Sequence, residues 1–133
     1  MSPRKLLAFL AVGRLLIGLA MLVLPEEIAR RWLGRGAATP ESGAFVRAVG
    51  GRDVAYALGS LRAVRDGNPK PWLAAGILVD GVDSYATLSA DGISGRQRLL
   101  GGSAAFAAVA LNILGLLVSE SSSDGVDPGE QQR

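Results

Sequence analysis

Residues 43–61 read GAFVRAVGGRDVAYALGSL, an apolar stretch with an arginine and an aspartate near its centre. A helix of this length and composition can enter a membrane, which would place Arg52 and Asp53 at mid-depth. Charged side chains are costly there and usually mark a functional site or a paired contact. The stretch therefore predicts a membrane helix whose charges meet partners on neighbouring helices.

Three other stretches are comparably long and apolar. Residues 6–24 contain one charge, residues 72–90 contain two aspartates, and residues 99–118 contain none. About twenty helical residues span the hydrocarbon core, whereas a soluble amphipathic helix needs a polar face. The pattern predicts an all-α fold, a four-transmembrane-helix bundle with helices near 6–24, 43–64, 71–90 and 97–118. A soluble helical bundle is the alternative, and a cleaved signal peptide is the alternative for the first stretch.

The composition narrows the range of functions. The net charge of +2 gives no broad basic field, so we expect no nucleic acid partner. The chain has no Cys and no His, which removes disulfides, thiolate nucleophiles and the commonest zinc and haem ligands. We therefore expect no metal site and no cofactor. The 18 glycines favour close approach of helices, as in membrane bundles.

The connections between the stretches are short. Residues 25–34 predict a short interfacial helix after the first long one, because two glutamates open it, Gly34 can cap it and Trp32 prefers the membrane–water boundary. An ordinary polar connection is the alternative for this segment. Residues 36–42 are typical of a linker, and Asp-Gly-Asn-Pro at 66–69 predicts a turn.

The predicted topology sets the domain limits and the location. We expect residues 1–118 to form a single four-helix membrane domain and residues 119–133 to form a polar disordered tail. Four crossings place both termini on one side of the membrane. Basic residues lie at both ends of the helices, but the first helix often decides the orientation, and Arg4 and Lys5 precede it. We therefore expect a multi-pass protein of the cell membrane with cytoplasmic termini.

Charged and polar side chains recur at helical spacing near the middle of the four stretches. The polar-core candidates are Arg14, Arg52, Asp53, Tyr56, Asp80, Asp83, Ser84 and Asn112. Two guanidiniums meet three carboxylates in this set, and Arg and Asp pair best in a bidentate geometry. We predict that Arg52 lies within salt-bridge distance of at least one of the three aspartates, and that Asp80 faces the second stretch.

Three interpretations of these residues stay open. In the first, the polar core is structural or supports ligand binding, since polar contacts commonly hold membrane helices in register. In the second, the protein is a small transporter or a proton relay, because intramembrane acids often line such paths. In the third, it is a membrane enzyme that uses a core Asp as general acid, and its catalytic residues are unknown. The expected partners are membrane lipid and, as an alternative, a second copy of the chain or another membrane protein.

Two short motifs carry a family resemblance, Gly50-Gly51-Arg52-Asp53 and Asp80-Gly81-Val82-Asp83. Gly-x-Arg-Asp in the second helix followed by Asp-x-x-Asp in the third resembles a group of small bacterial and fungal four-helix membrane proteins of unknown function. The resemblance covers residues 6–118. It implies the fold and a membrane location, and it transfers no activity to any residue.

Overall fold

The computed structural model describes residues 2–92 and 94–121 of the chain. All regular elements in that part are helical, which confirms the all-α class: α1 (Pro3–Val23), α2 (Pro25–Leu33), α3 (Pro40–Asp66), α4 (Lys70–Ser89) and α5 (Gly95–Ser121). A 3-10 turn, Arg35–Ala37, joins α2 to α3. The described part therefore contains four long helices and one short helix that follows the first of them.

One boundary difference lies before α3. The apolar pattern predicts a linker over residues 36–42, but α3 already begins at Pro40. The Thr39 side-chain oxygen accepts a hydrogen bond from the Ser42 N–H at 3.3 Å, which caps the helix. Pro40 suits the first helical position because its missing N–H would have no partner there. Local capping thus starts the helix before its apolar face begins.

The end of α5 also differs from the prediction. The helix continues through Ser121, beyond the residue 118 at which the apolar pattern stops. The Ser119 hydroxyl donates to the Gly115 carbonyl at 2.8 Å and stays buried within the last turns. The remainder of the predicted tail, residues 122–133, lies outside the described residues.

The long helices alternate in direction along the chain. Gly67 ends α3 in the left-handed region, with φ 77°, and the turn that follows leads directly into α4. Ser2, Gly67 and Ser119 line one shared hollow, so the start of α1, the α3–α4 turn and the end of α5 meet at one end of the bundle. The predicted turn over residues 66–69 is therefore confirmed.

The helices pair differently from what the predicted orientation of Asp80 toward the second stretch implies. Helix α1 packs along α3 and α4 packs along α5, whereas α3 and α4 meet at few positions. Two aromatic residues account for this separation. Tyr56 and Trp72 stand edge to face between α3 and α4 with ring centroids 5.4 Å apart, so the two helices are held apart by bulky side chains.

The α1–α3 pair has its closest contact at two glycines. A Cβ added to Gly18 would lie 2.8 Å from the Gly50 carbonyl oxygen, and one added to Gly50 would lie 2.8 Å from the Gly18 carbonyl oxygen. The backbones therefore touch, as small residues allow in membrane bundles. Arg14 lies one turn before Gly18 and Asp53 about one turn after Gly50. Because the helices are antiparallel, this contact places Arg14 opposite Asp53.

Helix α2 closes the other end of the bundle. Ala29 is buried with Met21 of α1 and Val46 of α3, and Ile28 and Trp32 pack against this small core. The outer face is charged, and hydrogen bonds from Arg30 and then Arg31 lower the pKa of Glu27. Helix α2 thus has one face on the bundle and one polar face outward.

Apolar side chains cover the outside of the four long helices. Phe9 of α1, Phe45 of α3, Leu78 of α4 and Phe106 of α5 are each 65–69% exposed. The buried side chains, in contrast, include two aspartates, an asparagine and several serines. Helices α1 and α5, the latter over Gly95–Ser119, are long and apolar enough to cross a membrane. Helices α3 and α4, which carry charges near their centres, do not meet this criterion.

Candidate functional site

Six side chains from all four long helices form one hydrogen-bonded series at the centre of the bundle. We call them the Arg/Asp cluster; in order along the series they are Asn112, Asp80, Arg14, Asp53, Arg52 and Asp83. Positive and negative groups alternate along the series from Asp80 to Asp83. Each carboxylate therefore contacts at least one guanidinium, which offsets the cost of burying it.

Arg14 is the central member of the cluster. Its Nη1 donates to Asp53 Oδ1 of α3 at 3.3 Å, and its Nη2 donates to Asp80 Oδ1 of α4. The guanidinium carbon also lies 4.8 Å from the centroid of the Tyr56 ring, within range of a cation–π contact. The Arg14 side chain is only 13% exposed. This single arginine links the α1–α3 pair to the α4–α5 pair.

Arg52 binds two of the three aspartates, as predicted. Its Nη1 and Nη2 donate to the two carboxylate oxygens of Asp83 at 2.9 and 2.7 Å, the bidentate geometry that favours Arg over Lys. Its Nε and Nη2 also donate to Asp53 Oδ1 at 3.2 and 3.0 Å. Arg52 thus crosses the gap between α3 and α4 at the side where Asp83 lies.

The prediction that Asp80 faces the second stretch needs correction. Its hydrogen-bond partners are Arg14 of α1 and Asn112 of α5, whose Nδ2 donates to Asp80 Oδ2 at 3.1 Å. The reason is the helix pairing, since α4 lies along α5 and its Asp80 face points to α5 and α1. Within the described residues, hydrogen bonds connect Asp80 to α3 through the guanidinium of Arg14, which also holds Asp53.

Two further polar-core candidates make different contacts. The Tyr56 hydroxyl donates to the Trp72 backbone carbonyl, and its ring lies under Arg14. Ser84 is buried, but its hydroxyl donates to the Asp80 backbone carbonyl of its own helix at 2.7 Å. The structure therefore brings Tyr56 to the cluster and leaves the Ser84 hydroxyl bonded within α4.

A cavity of 540 Å³ adjoins the cluster and was not predicted. Its floor is polar, with Arg14, Asp53, Tyr56, Asp80, Asp83 and Asn112. Its walls are mostly apolar residues of α1 and α5, together with Trp32 of α2: Phe9, Leu10, Gly13, Ile17, Met21, Gly101, Ala104, Ala105 and Ala108. Phe9, Ile17 and Ala104 are also exposed on the bundle surface, so the cavity opens sideways between α1 and α5.

The wall residues follow a signal that the sequence contains. Leu10, Ile17 and Met21 recur at helical spacing about Arg14, and therefore share its face of α1. On α5 the small residues Gly101, Ala105 and Ala108 also recur at helical spacing, and they line the cavity from the other side. Small side chains allow close approach, but they leave a void where the neighbouring helix stays away.

The chemistry of the cluster favours binding over bond breaking. Each of the three carboxylates accepts a hydrogen bond from a guanidinium, so each is held as an ion-pair partner. Asn112 uses both amide hydrogens, one on Asp80 and one on the Ala108 carbonyl at 2.9 Å. Within the described residues, no group of three His, Cys, Asp or Glu side chains is arranged to hold a metal ion.

Removing Arg52 is expected to destabilise the protein more than removing Arg62. Arg52→Ala leaves Asp83 without its bidentate partner, a loss of about 1.5–3 kcal/mol for hydrogen bonds to a charged group. Arg62 is 83% exposed and pairs with Asp66 at 3.4 Å, so Arg62→Ala should change stability by less than about 0.5 kcal/mol. Unfolding in detergent micelles measures the change in stability of both variants. The Arg52→Ala/Asp83→Ala double variant should lose less stability than the two single variants lose together. Strictly additive losses would contradict the pairing of Arg52 with Asp83.

No protein-family model, curated protein or solved structure matches the chain. The resemblance to small four-helix membrane proteins consequently stays a prediction.

Proposed function

We propose that the chain is a multi-pass integral membrane protein whose four long helices cross the bilayer, with the Arg/Asp cluster as the floor of a ligand-binding site. The observation that carries this proposal is the polarity of the bundle. Large apolar side chains are exposed on every long helix while aspartates and an asparagine are buried. Soluble proteins show the reverse arrangement, and they rarely expose extended apolar surfaces.

The helix lengths support the same proposal. At about 1.5 Å per residue, the 20 residues of α4 extend about 30 Å, which equals the thickness of the hydrocarbon core. Helices α3 and α4 do not qualify as membrane spans by length and apolar composition alone, but their central charges pair inside the bundle and need not meet lipid. Helix α2, with a polar outer face and Trp32 toward the bundle, then lies at the membrane–water boundary.

The cavity supports ligand binding in particular. Its volume of 540 Å³ falls within the usual range for small-molecule sites, about 300–1,000 Å³. Apolar walls with a few convergent polar groups are also typical of such sites. A purely structural cluster needs no cavity, and a general acid needs a carboxyl group that is not engaged by arginine. Ligand binding therefore accounts for both the paired charges and the adjoining space.

Single cysteines test the membrane topology directly, because the natural chain has none. Leu78→Cys and Phe106→Cys should resist a membrane-impermeant maleimide in sealed vesicles, since both side chains would face lipid. Gly36→Cys and Asn68→Cys, in connections at opposite ends of the bundle, should react from opposite sides of the membrane. With cytoplasmic termini, Asn68→Cys reacts from the cytoplasmic side. Rapid labelling of Leu78→Cys, or labelling of both connections from one side, would contradict four crossings.

Native mass spectrometry of protein extracted from its own membranes tests the ligand-binding part. We expect a small molecule or lipid to remain bound to the wild type. The bound species should be lost in a variant whose cavity is filled, while the same lipid annulus is retained. Identical adduct patterns in both proteins would contradict a specific site.

A further inference from the structure

We infer that the cavity binds a long-chain organic ammonium ion, with the cationic head on the Arg/Asp cluster and the alkyl chain between α1 and α5. This inference deepens the proposed ligand-binding function and rests on it. Three properties of the site carry it: the charge presented to the cavity, the hydrogen-bond capacity of its floor, and the apolar opening toward the surface of the bundle.

The charge that lines the cavity is acidic. Asp53, Asp80 and Asp83 all line it, whereas Arg14 is the one guanidinium among its lining residues. Arg52 contacts Asp53 and Asp83 but does not line the cavity. Even with both arginines counted, three carboxylates meet two guanidiniums. A monovalent cation would balance this excess, whereas an anionic head would meet three carboxylates at low dielectric.

The floor also has acceptor capacity for an N–H donor. Asp53 lines the cavity, and its hydrogen bonds from Arg14 and Arg52 all end on Oδ1, so its Oδ2 has no hydrogen-bond partner in the part of the chain that the structure describes. A buried acceptor without a partner is costly, so a donor at this point is favourable. An alkylammonium head supplies donors and positive charge together.

The walls fit an alkyl chain that arrives from the bilayer. Phe9 and Ile17 of α1 and Ala104 of α5 line the opening and are exposed on the outer surface of the bundle. In the proposed orientation that surface faces lipid, so an amphiphile can enter sideways while its chain stays in an apolar environment. Gly13 lies on the same wall, and a Cβ added there would meet nothing within 4 Å. The wall therefore has free space beside Gly13.

The binding test uses the full chain in phosphatidylcholine nanodiscs. Radiolabelled dodecylammonium should bind saturably, with about one site per chain above the partitioning into protein-free nanodiscs. Dodecyl sulfate and dodecanol have the same chain, and each should bind at least about tenfold more weakly because a charge-assisted contact is lost or reversed. Equal binding of dodecyl sulfate, or no saturable binding of dodecylammonium to protein whose membrane topology is intact, would overturn the inference.

Two variants locate the site and test its charge. Gly13→Leu should fill the cavity and weaken dodecylammonium binding about tenfold or more, whereas Gly81→Leu should bind like the wild type. Gly81 is a matched control, because an added Cβ there also meets nothing within 4 Å and Gly81 does not line the cavity. Asp83→Asn should weaken the binding of dodecylammonium and strengthen the binding of dodecyl sulfate. If Asp83→Asn abolishes the binding of both amphiphiles, or if Gly13→Leu leaves dodecylammonium binding unchanged, the proposed site is wrong.

The topology test separates two kinds of failure. If the single-cysteine labelling contradicts four crossings, the proposed membrane function is wrong and the binding inference falls with it. If the labelling agrees but dodecylammonium does not bind saturably, only the ligand class is wrong.

Discussion

Arg14→Ala is expected to lower the free energy of unfolding by about 3–5 kcal/mol, the largest loss for any single member of the cluster. Its guanidinium binds both Asp53 and Asp80, and it is the only arginine that contacts Asp80 in the part of the chain that the structure describes. Alanine would leave two buried carboxylates without this partner. Because the two acids come from α3 and α4, the loss also loosens the contact between the two helix pairs.

Thermal or denaturant unfolding in one detergent measures this effect, with Arg62→Ala as the exposed control. Arg14→Lys should recover only part of the lost stability, since one ammonium cannot match the planar fork that reaches both carboxylates. Arg14→Gln combined with Asp80→Asn should be more stable than Arg14→Gln alone, because the second change removes one stranded charge. A loss for Arg14→Ala no larger than that for Arg62→Ala would mean that the cluster contributes little to stability.

Cluster membership could be predicted from the sequence because charges stand out in apolar helices. Arg14, Arg52, Asp53, Asp80 and Asp83 interrupt stretches that otherwise suit a membrane, and helical spacing places most of them on shared faces. The cost of an unpaired charge then requires that they meet. The predicted contact of Arg52 with at least one of the three aspartates is confirmed, and the structure shows that its partners are Asp53 and Asp83.

The individual partners of Arg14 and Asp80 could not be predicted in the same way. They depend on which helices are neighbours, and neighbours are decided by surface shape rather than by polarity. The Gly18–Gly50 contact brings α1 to α3, while Trp72 beside Gly59 holds α4 away from α3. Glycines are so frequent in this chain that their spacing alone selects no particular contact.

The cavity was unpredictable for a related reason. A cavity arises where helices fail to fill the space between them, so it depends on the positions of several backbones together. The face of α5 with Ala105 and Ala108 has the composition of a packing surface, and only the distance between α1 and α5 turns it into a wall. The sequence contained the chemistry of the floor but not the space above it.

Gly50→Ala and Gly51→Ala are adjacent changes that should have opposite effects on stability. A Cβ on Gly50 would lie 2.7 Å from Met21 Cβ and 2.8 Å from the Gly18 carbonyl oxygen. The second contact is with backbone, so α1 must move away from α3, at a cost of about 3 kcal/mol for such overpacking. A Cβ on Gly51 would meet nothing within 4 Å, so alanine there should stabilise the helix by up to about 1 kcal/mol.

Unfolding of both variants under identical detergent conditions gives the comparison, and helix propensity cancels because both exchange Gly for Ala within α3. The displacement in Gly50→Ala should also draw Arg14 away from Asp53, since both lie within about one turn of the glycine contact. A second replacement, Asp53→Asn, should therefore cost less stability in Gly50→Ala than in the wild type. If Gly50→Ala is as stable as Gly51→Ala, α1 and α3 do not touch through their backbones, and the position of Arg14 must have another cause.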